Sequence, residues 1–379
     1  MKRHVLILGA GFGGLELATR LSETLRDAVR VTLLDRNDSF VFGYSKLELM
    51  LGRETADDVR LHYRDIHKDG VEFRQETVTG VDPVARRVTT DASAYDADFL
   101  VVAMGADYDM AATPGLEAGG FEYYTMAGAE RLRDALAEFD GGRVLVSVLG
   151  QPFKCPPAPF EGAFLLHEYF TQRGIRDSVQ ITSTFPMQRP VPVTAEVSQM
   201  FRDALDARDI EELPQHLVTS IDPATRTAHL ADGKTLPYDL FVGIPKHRAP
   251  DPLTASGLAV NGWVPVDQTN LRTQFRQVYA LGDVCTGPRT VAKAGIFAES
   301  AARVVAGDIA AAIAGGESPP PYGGWGVCYA EFGDGLVSKV EVDFLSGPAA
   351  AATRHDASRE YAAEKEEFGA IRRTRWFGH

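Results

Sequence analysis

Apolar positions along this chain switch between long buried runs and helical spacing, and the switches mark its elements. His4 to Leu8 is a short apolar run followed at once by glycines, the pattern of a buried parallel strand. Leu15 to Leu25 repeats apolar residues at helical spacing, and Arg30 to Leu34 is a second strand closing at Asp35. Strand, helix, strand is a β-α-β unit and predicts a parallel sheet. Phe99 to Ala103, closed by Gly105, adds another buried strand, and from Ala106 to Pro114 the pattern loosens into a linker. A second block of the same plan comes next: a helix from Ala127 to Phe139, a strand from Arg143 to Val148, a helix from about Glu161 to Arg173 and a strand from Ser178 to Thr182. Leu236 to Gly243 closes that block. Val278 to Leu281 returns to strand character, and Ala292 to Ala314 reads as a long helix. Pro319, Pro320 and Pro321 then break the chain, and the last segment reads as strands followed by a short charged helix.

The expected fold class is therefore α/β: two Rossmann-like, dinucleotide-binding domains with a small C-terminal region. Residues 1–105 and 260–318 would build the first domain from two pieces of chain. Residues 106–259 would form the second, and 319–379 a C-terminal interface segment. A length of 379 residues agrees with two or three domains. The net charge of −13 offers no basic face for phosphates and argues against a nucleic-acid partner. The three cysteines, at 155, 285 and 328, are too few and too scattered for a disulfide framework, and their spacing suits no metal. The apolar run after Arg3 is too short for a signal peptide, and no stretch is apolar enough to span a bilayer, so a cytoplasmic location is expected.

Residues 9–14 read Gly-Ala-Gly-Phe-Gly-Gly, a G-x-G-x-x-G fingerprint between the first strand and the first helix. Gly9 permits the tight turn, Gly11 lets backbone approach a pyrophosphate, and Gly14 lets the helix pack on the strand. The helix N-terminus supplies amides and positive potential to phosphates. Asp35 stands where a carboxylate accepts ribose hydroxyls. Phe12 and Gly13 within the turn, Arg36 beside Asp35, and Ala103 and Gly105 at the end of the neighbouring strand complete this side of a candidate cofactor site. FAD, rather than NAD, is indicated by the strand Val278–Leu281 ending in Gly282-Asp283. An Asp there can bind a ribityl hydroxyl, and the following helix aims its positive end at the ring, near Ala294.

The second block keeps only Gly150 of a fingerprint. The stretch after it reads Gln151-Pro-Phe-Lys-Cys-Pro-Pro-Ala-Pro159, whose prolines have no N–H to offer a phosphate. Cys155 stands there instead, after Lys154 and ahead of a helix, a setting expected to lower a thiol's pKa. Glu161 can act as acid or base beside it, or be a solvated residue of the first turn. Cys328, read alone, is a core residue, and Cys285 a packing residue close to the cofactor.

With these residues in view, the chain resembles the sulfide:quinone oxidoreductase and flavocytochrome c sulfide dehydrogenase family. The resemblance runs from Gly9-Ala-Gly-Phe-Gly-Gly14 through Lys154-Cys-Pro-Pro-Ala-Pro-Phe-Glu161 and Leu281-Gly-Asp-Val284. It continues to Lys293-Ala-Gly-Ile-Phe-Ala-Glu299, Cys328-Tyr329 and Arg375-Trp-Phe-Gly378. It implies that Cys155 and Cys328 form a redox disulfide flanking the flavin, that Val78 contacts the adenine side through its backbone, and that Lys293 lies beside the ring. It also implies a sulfur-containing substrate and a quinone or other electron acceptor. No cysteine precedes Cys155, where quinone-linked members often carry a third. Two rival functions stay in play: a type II NADH:quinone dehydrogenase, which needs a working second fingerprint, and a non-enzymatic flavin and thiol redox sensor. The tail residues Phe368, Ile371, Trp376 and Phe377, with Arg372, Arg373 and Arg375, form a candidate membrane-facing surface. Docking of that surface on its own fold, or on a second copy in a homo-oligomer, is the other reading.

Overall fold

A computed structural model describes residues 2–378. Its larger sheet is parallel, with strands in the order Val278–Ala280, Phe99–Val102, Arg3–Leu8, Val29–Asp35 and Val71–Gln75. The two faces of this sheet have different cover. Val5, Ile7, Val31 and Leu33 point toward the helices Phe12–Leu25 and Gly295–Ala314. Leu6, Leu8, Leu34 and Leu100 point toward the other face, where Val78 and Val88 of an antiparallel meander and Leu253 and Leu258 pack. Burial on both faces is why the inner strands Arg3–Leu8, Val29–Asp35 and Phe99–Val102 are apolar along most of their length, whereas Val71–Gln75 at the sheet edge alternates apolar and polar residues. Val278–Ala280 arrives from far along the chain to pair with Phe99–Val102, so this sheet is assembled from both sides of the second block.

The second sheet is also parallel, in the order Ile210–Pro214, Val179–Phe185, Gly142–Val148 and Leu240–Ile244. The helices Ala158–Gln172 and Ala195–Asp206 cover it with Phe160, Phe164 and Phe201. Asp107–Asp109 and Lys246–Arg248 pair antiparallel where the chain leaves the first sheet and where it returns. An antiparallel sheet, Trp325–Glu331, Val337–Asp343 and Ala351–Ser358, then adds Val340, Val342 and Phe344 to the second core.

Three expectations need correction. The helix expected from Glu161 begins at Ala158, because prolines fit a first helical turn, whose N–H groups have no partner there anyway. The helix expected from Ala292 begins at Gly295, because the Lys293 carbonyl is committed to the Cys155 N–H. The final helix is not short: Arg359–Phe377 spans 19 residues.

That helix is docked on its own chain. Trp376 is 0 % exposed, and its indole N–H donates to Glu16 Oε2 at 3.0 Å. Arg375 bonds the same carboxylate at 2.8 Å, and Arg372 reaches Glu299 at 2.7 Å. Phe377 is buried with Trp376, and Phe368 turns inward beneath the Arg372 guanidinium. Of the four residues of the expected membrane face, only Ile371, 55 % exposed, points to solvent. Among the described residues, no helix is long and apolar enough to cross a membrane.

Candidate active site

The first fingerprint is a turn that admits only glycine at its ends. Gly9 has φ 99°, and a Cβ there would come 2.4 Å from the Ala103 carbonyl oxygen. A Cβ at Gly14 would come 1.9 Å from the Gly9 oxygen. At Gly11 a Cβ would meet nothing within 4 Å, because its backbone faces open space. Asp35 braces this turn: its Oδ2 accepts the Ala10 N–H at 2.8 Å, and its Oδ1 accepts the Asn37 N–H at 2.9 Å. Arg36 pairs with Asp107 at 3.0 Å, and Val78 is a core residue. Gly9, Gly14, Asp35, Arg36 and Val78 thus shape or support the site without lining its cleft.

The remaining candidates line a single cleft of about 340 Å³. Gly11, Phe12, Gly13, Ala103 and Gly105 come from the first sheet, and Gly282, Asp283, Lys293 and Ala294 from the chain's return to it. Cys155, Glu161 and Cys328 line the same cleft. Asp283 supplies a direct test of the expected cofactor. Its Oδ1 is buried with no hydrogen-bond partner, and burial raises its pKa, opposed by Lys154 and Lys293. A buried acceptor without a partner is costly unless a ligand supplies the donor. An orphaned carboxylate at a strand end, beside the open backbone of Gly11, fits a flavin dinucleotide with its ribityl hydroxyls and pyrophosphate.

The Cys155 loop is clamped from several sides. Cys155 itself takes φ 53°, a left-handed conformation uncommon for residues other than glycine and enriched at functional sites. Its N–H donates to the Lys293 carbonyl at 2.6 Å, and its carbonyl accepts the Ala158 N–H at 2.9 Å. The Lys154 N–H donates to His247 Nε2 at 3.3 Å, and the Tyr124 hydroxyl donates to the Lys154 carbonyl at 2.9 Å. His247 Nδ1 lies 2.7 Å from the Pro245 carbonyl, so the ring proton sits there and Nε2 is left as the acceptor. Burial lowers the His247 pKa to about 3 and keeps the ring neutral.

The electrostatics differ from the sequence expectation. Burial, Glu161 and Cys328 push the Cys155 thiol well above its ordinary range rather than lowering it. Lys154 does not activate the thiol, because its ammonium donates to the Ala106 carbonyl at 2.9 Å and lies 4.3 Å over the Tyr108 ring. Burial and Glu161 likewise push Cys328 up to about 12. Burial raises Glu161 to about 7, opposed by Lys365 and by the Glu331 N–H, which donates to its Oε1 at 2.9 Å. The Cys155 thiol faces Glu161 Oε2 at 3.9 Å. All three cysteines are free thiols, and Cys285 lines a neighbouring cavity with Trp263 and Lys293.

Sequence reasoning passed over Lys46, Tyr108, Tyr124, His247 and Lys365, which belong to no motif. A lysine inside the apolar stretch Phe40 to Leu51 was the one available signal.

The family profile described as pyridine nucleotide-disulphide oxidoreductase matches residues 3–150 and 169–296, and the chain belongs to that family. It is similar to the mitochondrial sulfide:quinone oxidoreductase of Mus musculus, 26% identical over 79% of this chain and 70% of that protein. It is also similar to the sulfide-quinone reductase of Aquifex aeolicus, 25% identical over 88% of this chain and 82% of that one. The crystal structure of the Aquifex aeolicus sulfide:quinone oxidoreductase superposes with a TM-score of 0.86 at 22% identity, covering 97% of this chain and 90% of that chain. The protein is an FAD-dependent oxidoreductase similar to the sulfide:quinone oxidoreductases, with FAD as its cofactor.

Proposed function

We propose that this chain oxidises sulfide or a related sulfur compound at Cys155 and Cys328 and passes the electron pair on to a quinone. The observation that carries this reading is the meeting of both cysteines and Glu161 in the cleft that holds Gly11 and the orphaned Asp283. FAD, when bound, supplies a two-electron acceptor that a quinone can reoxidise. The chain's own residues supply the sulfur chemistry. In the oxidised form of the pair, a sulfur anion attacks one sulfur of a Cys155–Cys328 bond. That bond breaks, a persulfide forms on the attacked cysteine, and the other leaves as a thiolate carrying the electron pair. Glu161, raised to about 7, can take up the proton that the incoming sulfur compound gives up near neutral pH.

The loop after Gly150 argues against a nicotinamide. A Cβ at Gly150 would lie 3.2 Å from the Lys246 side chain, so its backbone is covered where a pyrophosphate would have to approach. Anaerobic titration of the yellow protein with sulfide, simple thiols and NADH tests the reading. Sulfide should bleach the flavin band, and Cys155→Ser or Cys328→Ser should abolish the bleaching while FAD stays bound. Bleaching by NADH alone would favour a type II NADH:quinone dehydrogenase. Thiol oxidation without turnover by any sulfur donor and quinone would favour a redox sensor.

A further inference from the structure

Four lysines line the cleft: Lys46, Lys154, Lys293 and Lys365. The ammonium groups of three are engaged by the protein. Lys154 donates to the Ala106 carbonyl and covers Tyr108. Lys293 donates to the carbonyls of Asp283 at 2.6 Å and Cys285 at 3.1 Å, and sits 3.6 Å over the Trp263 ring. Lys365 is paired with Glu331. The side chain of Lys46, on the short helix Ser45–Met50, has no hydrogen bond, ion pair or ring contact among the described residues. Its helix is held firmly, because Leu47, Leu49 and Met50 are buried in the second core.

Lys46 is half-buried, and an ammonium partly withdrawn from water without a counter-charge is available to a ligand that supplies one. Burial and neighbouring Lys154 lower Lys46 to about 8, opposed by Glu122 and Cys155, so it stays mostly protonated at neutral pH. The cleft therefore keeps one uncommitted positive charge within the electrostatic reach of Cys155.

We infer that Lys46 is the anion-receiving residue of the cleft, binding a small sulfur anion of the hydrosulfide class beside Cys155. The identity of that anion rests on the proposed function; the presence of an uncommitted cation in the cleft that Cys155 lines does not.

The test compares two alkylating agents of nearly equal size on the reduced holoenzyme: iodoacetate, an anion, and iodoacetamide, which is neutral. Modification of Cys155 is followed by peptide mass spectrometry, and the ratio of the two rates reads the local charge. Lys46→Gln and Lys46→Met should each lower the iodoacetate-to-iodoacetamide ratio about tenfold relative to the parent, and Lys46→Arg should preserve it. FAD content should be unchanged in all three. The KM for sulfide should rise by a similar factor in the Gln variant, with kcat nearly constant. An equal ratio in parent and Gln variant overturns the inference. So does an unchanged ratio with weakened FAD retention, which would assign the ammonium to the cofactor. A lowered ratio in a protein whose flavin sulfide never bleaches would uphold the anion site and refute the sulfur-oxidising function.

Discussion

Replacing Glu161 with glutamine separates its charge from its hydrogen bond. The glutamine carbonyl can still accept the Glu331 N–H, now at 2.9 Å, so the shape of the site is retained. The negative charge 3.9 Å from the Cys155 sulfur is lost. At roughly 4 Å and an effective dielectric near 20, that charge is worth about 4 kcal/mol, or about three pKa units on the thiol. This is an upper bound, because Glu161 with a pKa of about 7 is only partly ionised at neutral pH and the cleft is open to water. A fall of at least about one unit is expected, about tenfold more thiolate at fixed pH. Iodoacetamide should then modify Cys155 about tenfold faster in Glu161→Gln at pH about 8. Turnover should move the other way, since losing a positioned base costs about 10²–10⁴-fold. In the parent, kcat at saturating sulfide should rise through about pH 7 as Glu161 loses its proton, and the variant should lack that limb. The stability sign comes from the same shift. A carboxyl raised from 4.5 to about 7 stabilises the fold below its unfolded value, and that contribution is lost as pH rises through about 7. The thermal midpoint of the glutamine variant should gain on the parent across that interval. Slower alkylation in the variant would refute the electrostatic assignment, and a surviving pH limb would refute Glu161 as the base.

Gly11→Val should give a folded protein without flavin absorbance, because the side chain would project into the open space its backbone faces; a yellow Val variant would refute that placement. Trp376→Ala empties a site that is 0 % exposed and removes a donor from Glu16; about 3–5 kcal/mol should be lost, lowering the thermal midpoint by roughly 4–6 °C in calorimetry. Cys285→Ser should leave sulfide-driven bleaching intact, since Cys285 belongs to the neighbouring cavity; loss of bleaching there would bring it into the mechanism.

The first sheet was legible because its residues carry one message at every level. Val5 to Leu8, Val31 to Leu34 and Phe99 to Val102 are buried on both faces, so each is apolar with the single exception of the buried Thr32, and Gly9 takes a positive φ in the turn after the first of them. The helix Ala195–Asp206 has an equally clear period in Val197, Met200, Phe201, Ala204 and Leu205. It comes after a proline-rich stretch and precedes the partly exposed strand Ile210–Pro214, so its period alone set no topology. The tail left two readings open, a membrane face or docking on its own fold, and the structure shows the docking. Its arginines and aromatics are the composition of an interfacial helix, but Glu16 and Glu299, buried far away in sequence, draw the arginines inward and the aromatics go with them.

The site was legible in its residues and illegible in its charges. Cys155, Glu161 and Asp283 could be picked out because each sits in a local pattern, but a pKa depends on neighbours in space. The left-handed turn at Cys155 sends Lys154 toward Ala106 and Tyr108 while the thiol faces Glu161, one helical turn into the next element. Adjacency in sequence therefore predicted the wrong sign. A thiol held above its ordinary range by burial and a carboxylate is a poor nucleophile at rest. It gains reactivity when Glu161 takes a proton, which removes the charge opposing the thiolate. On the proposed function, the proton that neutralises Glu161 is the one the incoming sulfur compound releases. The same proton transfer would then favour the thiolate that leaves the broken Cys155–Cys328 bond, so that it can pass on the electron pair.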